Sequence, residues 1–511
     1  METPENPPLF STEGAMKKQV AVIGAGLGGL SAAISLAAEG FAVRVFEKND
    51  KVGGKLNVRR MEGFTFDLGP SILTLPHIFR RLFERAGRRM EDYVQIEEVR
   101  PHWRNFFEDG LTFDLTPDRA AMEQELAKLS TDETRGFYEF LDYSKKIYDL
   151  TDKGYFARGL ESLSELVRFY GPWRSLAGFD VLHSVDGGVR RFVREPHLVE
   201  ALDYFIKYVG SSPYDAPALL NLIPYVQFHY GLWYVKGGMY ALGEALERLA
   251  RELGVEFELN CEIAEILHQG GRAEAVRLAG GGRFPADLFV SNMEVIPAYE
   301  KLLGEGLSFL RSFKKFEPSC SGLVMHLGVN RRYPQLAHHN FFYSRDPRRH
   351  FQSVFRDLDL SEDPTIYLVA PCRSDPGQAP PGCDVIKVLP HIPHIRDEAP
   401  FQEADYKALR ERVLIKLERM GLTDLRRHIV AEDFWTPEDI RRKYYSNKGA
   451  IYGVVSDRSK NLGFKAPRRS RKYRNLYFVG GSVNPGGGMP MVVLSGQLAR
   501  DMIVNDLAGE P

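Results

Sequence analysis

A short apolar run, Val20-Ala21-Val22-Ile23, stops at Gly24-Ala25-Gly26-Leu27-Gly28-Gly29 and passes into a helical pattern rich in Ala and Leu. A second short strand, Val43-Arg44-Val45-Phe46, ends on Glu47, and Gly53-Gly54-Lys55 follows. Strand, glycine turn, helix and a strand closed by a carboxylate make a dinucleotide-binding unit. Gly24 allows the tight turn, Gly26 lets a pyrophosphate approach the backbone, and Gly29 lets the helix pack on the strand. The helix N-terminus turns unpaired N–H groups and the positive end of its dipole toward the phosphates. Glu47, eighteen residues after Gly29, stands where an acid bonds ribose hydroxyls, and its charge repels a 2′-phosphate, which argues against NADP.

A second glycine cluster lies near the other end of the chain. Asn475–Val479 reads as a buried strand, Gly480 to Gly488 as a loop, and Met489 to Val504 as a helix with Pro490 in its first turn. Five glycines and two prolines fall within residues 477–491. Ordering so many glycines is entropically expensive, which makes sense where backbone must approach a flat ligand. A helix N-terminus aimed at a flavin stabilises the negative charge of the reduced ring near N1 and the C2 carbonyl. Leu68-Gly69-Pro70-Ser71, after an extended stretch from Gly63, is the local candidate for the other side of that ring.

A chain of 511 residues exceeds one compact core, so two or more units are expected. The net charge of −1 provides no bulk attraction to nucleic acid. Cys261, Cys320, Cys372 and Cys383 show no CxxC pair and read as reduced thiols of a cytoplasmic protein, with no zinc site; Cys372 and Cys383 are the one conceivable pair. No apolar run reaches membrane-spanning length.

The expected class is α/β: a discontinuous Rossmann-type domain, a mixed sheet and helix substrate domain, and a helical membrane-facing region. Residues 1–16 read as a disordered lead-in, 17–117 as the first part of the nucleotide-binding domain, and 118–230 as the helical substrate and membrane region. Residues 231–296 read as a return to the first domain, 297–441 as the substrate domain, and 442–511 as the closing part. Expected elements include helices over Ala120–Leu129, Arg135–Leu150, Leu198–Val209 and Ala241–Leu253, and a hairpin of Glu262–Leu267 with Ala273–Leu278. His338-His339 reads as structural or substrate-lining, and His391 with His394 lacks the acidic partner of a metal site.

From Val20 to Ile503 the chain resembles the bacterial-type carotenoid desaturases, the phytoene and dehydrosqualene desaturases with their related oxygenases. The resemblance rests on Gly24–Gly29, Glu47, Gly53-Gly54-Lys55, Phe66–Pro70, Trp233–Gly238, Gly449–Gly453 and, most specifically, Gly480–Pro490. It implies FAD, with Gly24, Gly26, Gly29, Glu47 and Lys55 on the ADP half and Leu68, Gly69 and Pro70 beside the isoalloxazine. It also implies adenine contacts from Ile263, with Asn292 near the same half, Gly480 and Gly481 at the pyrophosphate or ribityl chain, and Met489 at the ring. One departure is Asn484, where the family commonly carries His.

The implied activity is an FAD-dependent desaturation of a C30 or C40 polyene, with hydride to the flavin and loss of a proton, the flavin being reoxidised by oxygen or a quinone. An allylic cation needs no strong base, so no side chain is assigned catalysis. The alternatives are a terminal-methyl oxygenase forming aldehydes, an amine-oxidase-like flavoenzyme, and a non-catalytic polyene or prenyl escort. An insoluble substrate implies peripheral contact with membrane lipid. Leu160, Leu163, Leu166, Phe169, Tyr170 and Trp173, with Arg168 and Arg174, are the candidate surface, and the basic run Lys465–Arg474 is a second.

Overall fold

The computed structural model describes residues 17–509, except for the side chains of Trp173, Leu176 and Ala177; the expected lead-in, residues 1–16, lies outside them. A five-stranded parallel sheet gathers strands from distant parts of the chain in the order Leu476–Phe478, Leu288–Ser291, Gln19–Ile23, Ala42–Phe46, Glu256–Glu258. Ile23 aligns with Phe46 on one side and Ser291 on the other. Side chains alternate across a strand: Val20 and Val22 join the core under the helix Leu27–Ala38, and Ala21 and Ile23 join the core under the antiparallel hairpin of Ile263–Gln269 and Arg272–Leu278. Burial on both faces is what a parallel sheet requires.

The C-terminal helix Met489–Gly509 packs along Leu27–Ala38. The contact is close because Gly496 has no side chain: a Cβ there would stand 2.6 Å from Ala32 N. Ser31 Oγ bonds the Val493 carbonyl across the same seam at 2.6 Å.

An eight-stranded sheet forms the second unit, with Val324–Val329, Asp384–Ile392 and Ile366–Val369 near its centre. The helix Glu403–Arg419 covers one face, started by a capping box between Gln402 and Asp405. Trp103–Phe106 and Thr112–Leu115, expected within the first nucleotide-binding segment, pair into this sheet instead, with Phe341 opposite Asn105. Their neighbours arrive from hundreds of residues downstream, which local pattern does not reveal. Residues 118–230 are mainly helical, as Thr134–Thr151, Pro196–Asp203 and Leu222–Tyr230 show. Among the described residues, no helix is long and apolar enough to cross a membrane, and Cys261, Cys320, Cys372 and Cys383 are free thiols.

Candidate active site

A cavity of about 320 Å³ runs past the C-terminal ends of the parallel strands, the place where open α/β sheets hold ligands. Gly24, Gly26, Glu47, Lys55, Leu68, Gly69, Pro70, Ile263, Asn292, Gly480, Gly481 and Met489 all line it. Gly29 does not. A Cβ at Gly29 would fall 2.1 Å from the Gly24 carbonyl oxygen, so this glycine serves helix-on-turn packing, and its N–H is spent on Asn292 Oδ1 at 3.1 Å. Asn292 occupies the room that glycine leaves: a Cβ at Gly26 would stand 2.5 Å from its Nδ2, and one at Gly28 2.6 Å from its Oδ1.

Glu47 is 5% exposed and held by three donors: Ala25 N on Oε2 at 2.8 Å, and Asn49 N and Nδ2 on Oε1 at 2.9 and 2.7 Å. A carboxylate has about four lone-pair sites, so acceptor capacity remains toward the cavity. Lys55 Nζ donates to the Ala450 carbonyl at 3.0 Å, and lies 3.3 Å from both the Ile451 carbonyl and Glu294 Oε1. Trp435, Tyr444, Tyr445 and Tyr452 on the same wall are not among the expected site residues, since no spacing marks aromatic residues brought in from other units, and neither is Lys48, which directly follows Glu47. Gly453 carries a legible signal, being a glycine whose Cβ would meet the Gly481 carbonyl at 2.5 Å.

A second cavity, of about 420 Å³, shares Gly69, Pro70, Lys387, Leu389, Tyr452, Gly487, Gly488 and Met489 with the first. Its remaining wall is mostly aliphatic and aromatic, from Leu166, Phe179, Leu219, Leu220, Leu222, Ile223 and Val226. Three lining leucines also face solvent: Leu163 is 41%, Leu182 75% and Leu462 36% exposed. Of the other expected surface residues, Phe169, Arg168 and Arg174 are exposed, Leu160 and Tyr170 are half-buried, and Leu166 is buried; the Trp173 side chain lies outside the described ones. In the basic run, Lys465 and Arg468 are buried. Lys465 Nζ donates to Val454 O and Ser456 Oγ, and Arg468 bonds Asn484 O and Gly159 O. Those two cations are structural donors and present no charge to a lipid surface.

Lys387 stands at the junction of the cavities. Its Nζ donates to the Gly69 carbonyl and lies 3.2 Å from Ser71 Oγ. Burial pulls its pKa down to about 8, opposed by the charge of Asp67. Burial raises the Asp67 pKa, while N–H bonds from Met239 and Tyr240 act the other way. Asn484 does not line either cavity; its amide is consumed by Tyr155 and Lys465. His338 and His339 are buried, bonded to Ser374 Oγ and Tyr367 OH, and among the described residues no cluster fit to hold a metal is found.

Residues 27–503 match the family model described as flavin containing amine oxidoreductase. The chain belongs to this family of FAD-dependent oxidoreductases. Among curated relatives, 4,4'-diapolycopene oxygenase of Methylomonas sp is 66% identical over 490 residues, covering 96% of this chain and 99% of the relative. The 4,4'-diaponeurosporene oxygenase of Staphylococcus haemolyticus is 51% identical, covering 95% and 97%. Solved structures share the fold at low identity: putrescine oxidase bound to putrescine at 15% and TM-score 0.64, covering 96% of this chain and 99% of that one, and an oxidoreductase from Methanosarcina mazei at 17% and TM-score 0.62, covering 95% and 100%. FAD fits the first cavity by the chemistry of its wall. Side chains are absent at Gly24, Gly26, Gly480 and Gly481, where a pyrophosphate would meet backbone, and Glu47 would be the acceptor for ribose hydroxyls.

Proposed function

We propose that the protein is an FAD-dependent oxygenase of the terminal methyl groups of a linear C30 polyene, acting in carotenoid biosynthesis. The observation that carries this reading is the near full-length similarity to two oxygenases, joined to an apolar cavity that opens onto the cofactor cavity at Gly69, Pro70 and Gly488. Desaturation is the first expectation from the sequence and terminal-methyl oxygenation the alternative; the names of the two relatives support the alternative. When bound, FAD would supply an acceptor for hydride from the terminal allylic carbon, with water adding there and losing a proton to give the alcohol, and a second hydride and proton loss giving the aldehyde. In this reading the chain's own residues bind and orient. Glu47 and the glycine turns hold the nucleotide, Gly487 and Gly488 bring backbone to the ring, and Leu166, Phe179, Leu222 and Val226 exclude water from the polyene.

An amine substrate finds no support in the second cavity. Among the described residues its wall includes no Asp or Glu and does include Lys207, Lys387 and Lys465, so a cationic amine would be desolvated without a counter-charge. In our reading, Leu163, Leu182 and Leu462 around its opening rest on a bilayer from which the polyene enters. The test is incubation of the holoprotein with the C30 polyene in liposomes under air, followed by mass spectrometry. Aldehyde products support the oxygenase. New double bonds without added oxygen return the assignment to desaturation, and a flavin that no polyene reduces anaerobically removes both.

A further inference from the structure

Lys207 lies on the 3₁₀ turn Tyr204–Val209, is 4% exposed, and lines the apolar cavity. Its Nζ stands over four rings, 4.1 Å from the centroid of Tyr367 and 4.6 Å from those of Trp103, Tyr208 and Phe341. Among the described residues, no carboxylate or hydrogen-bond acceptor is matched to it. Ring faces attract a cation but provide no lone pair to accept its N–H groups, so they replace water incompletely. Burial also pushes the Lys207 pKa well below that of an ordinary lysine, and the N–H donors of its amine stay unused within the protein.

A second unspent donor meets the same Tyr208 side chain. Gln227 is fully buried on the same cavity wall. Its Oε1 accepts the Tyr208 hydroxyl at 2.7 Å, and its Nε2 has no partner. The backbone of Tyr208, which links the two, reaches the glycine loop: its carbonyl oxygen would stand 4.0 Å from a Cβ at Gly488. A hydrocarbon offers these donors nothing, whereas a hydroxyl or carbonyl oxygen satisfies them.

We propose that Lys207 and Gln227 form a polar clamp for the oxygen-bearing end of a linear polyene, so that the protein prefers a terminal polyene alcohol or aldehyde to the parent hydrocarbon. The proposal rests on the oxygenase reading for its substrate class and deepens it. One hydrogen bond made in a dry site and absent for the analogue separates ligands by about 1–3 kcal/mol, roughly 10- to 100-fold.

The test uses holoprotein, wild type and Lys207→Met, with a linear polyene hydrocarbon, its terminal alcohol and its terminal aldehyde. Binding is read from the polyene spectrum under anaerobic conditions, and turnover is measured separately. Wild type is expected to bind alcohol and aldehyde about 10- to 100-fold more tightly than the hydrocarbon, and Lys207→Met is expected to erase most of that ratio. The aldehyde bound to wild type is also expected to absorb further to the red than in an apolar solvent, a shift absent in the variant. If the variant does not fold, the wild-type ratio and red shift still decide, and equal affinities overturn the clamp. Turnover of no polyene overturns the oxygenase reading; turnover with an unchanged ratio in Lys207→Met overturns the clamp alone.

Discussion

The Tyr155 hydroxyl donates to Asn484 Oδ1 at 2.7 Å, tying the helical region to the glycine loop that walls the cofactor cavity. Asn484 Oδ1 also accepts Lys465 N at 3.0 Å, and its Nδ2 donates to Lys465 O at 3.1 Å. Asn484→Ala leaves these buried groups unpaired, at about 1–3 kcal/mol for each orphan. Tyr155→Phe removes one bond at about 1 kcal/mol. Thermal unfolding is expected to rank wild type above Tyr155→Phe and Tyr155→Phe above Asn484→Ala; an Asn484→Ala protein as stable as wild type would contradict the tie.

Gly29→Ala is expected to reduce bound flavin at least tenfold although the residue is not on the cavity wall. Its Cβ meets the Gly24 carbonyl oxygen at 2.1 Å, and backbone there cannot step aside without moving the turn. The measurement is flavin released per chain on denaturation, and a full complement would contradict the packing role.

Lys387 makes stability depend on pH in a definite direction. Its folded pKa, about 8, lies below the ordinary lysine value of 10.5. Below pH 8 both states hold the proton and the burial penalty is fully present. Between about 8 and 10.5 the unfolded chain binds more protons, so this group's contribution to stability rises with pH. Lys387→Met is expected to flatten that rise, by an amount on the order of 3 kcal/mol across the window; denaturant unfolding of both proteins at pH 7, 8, 9 and 10 checks it.

Replacing both Leu163 and Leu182 by Glu is expected to weaken binding to liposomes. Full burial of one leucine contributes about 1.5–3 kcal/mol, so each loss is worth roughly tenfold or more in partition. Flotation with vesicles measures it, with bound flavin as the control for folding, and equal flotation would place the lipid contact elsewhere.

Much of the cofactor cavity was readable from the sequence because its demands are local. A turn that tolerates no side chain at Gly24 and a strand that ends on Glu47 are written in adjacent residues. The second cavity was not readable. Lys207, Gln227, Lys387 and Tyr452 meet only when three units close on one another, and a lysine swallowed by aromatic rings has the same one-letter code as a solvated one. Lys465 and Arg468 failed as surface charges for a related reason: the carbonyls that receive them come from Val454, Gly159 and Asn484. The strand Trp103–Phe106 joins the second sheet through its pairing with His339–Phe342, which is a matter of topology, and Thr112–Leu115 follows as its antiparallel neighbour.

The strand Leu476–Phe478 forms the edge of the parallel sheet beside Leu288–Ser291, and the loop after it carries Gly480, Gly481 and Met489 to the cavity. A chain emerging from the ribosome therefore has its first nucleotide-binding turn long before it has a complete socket. In the proposed FAD site a chain terminated ahead of Leu476 would lack the wall of Gly480, Gly481 and Met489, and is expected to hold flavin more weakly than the full chain.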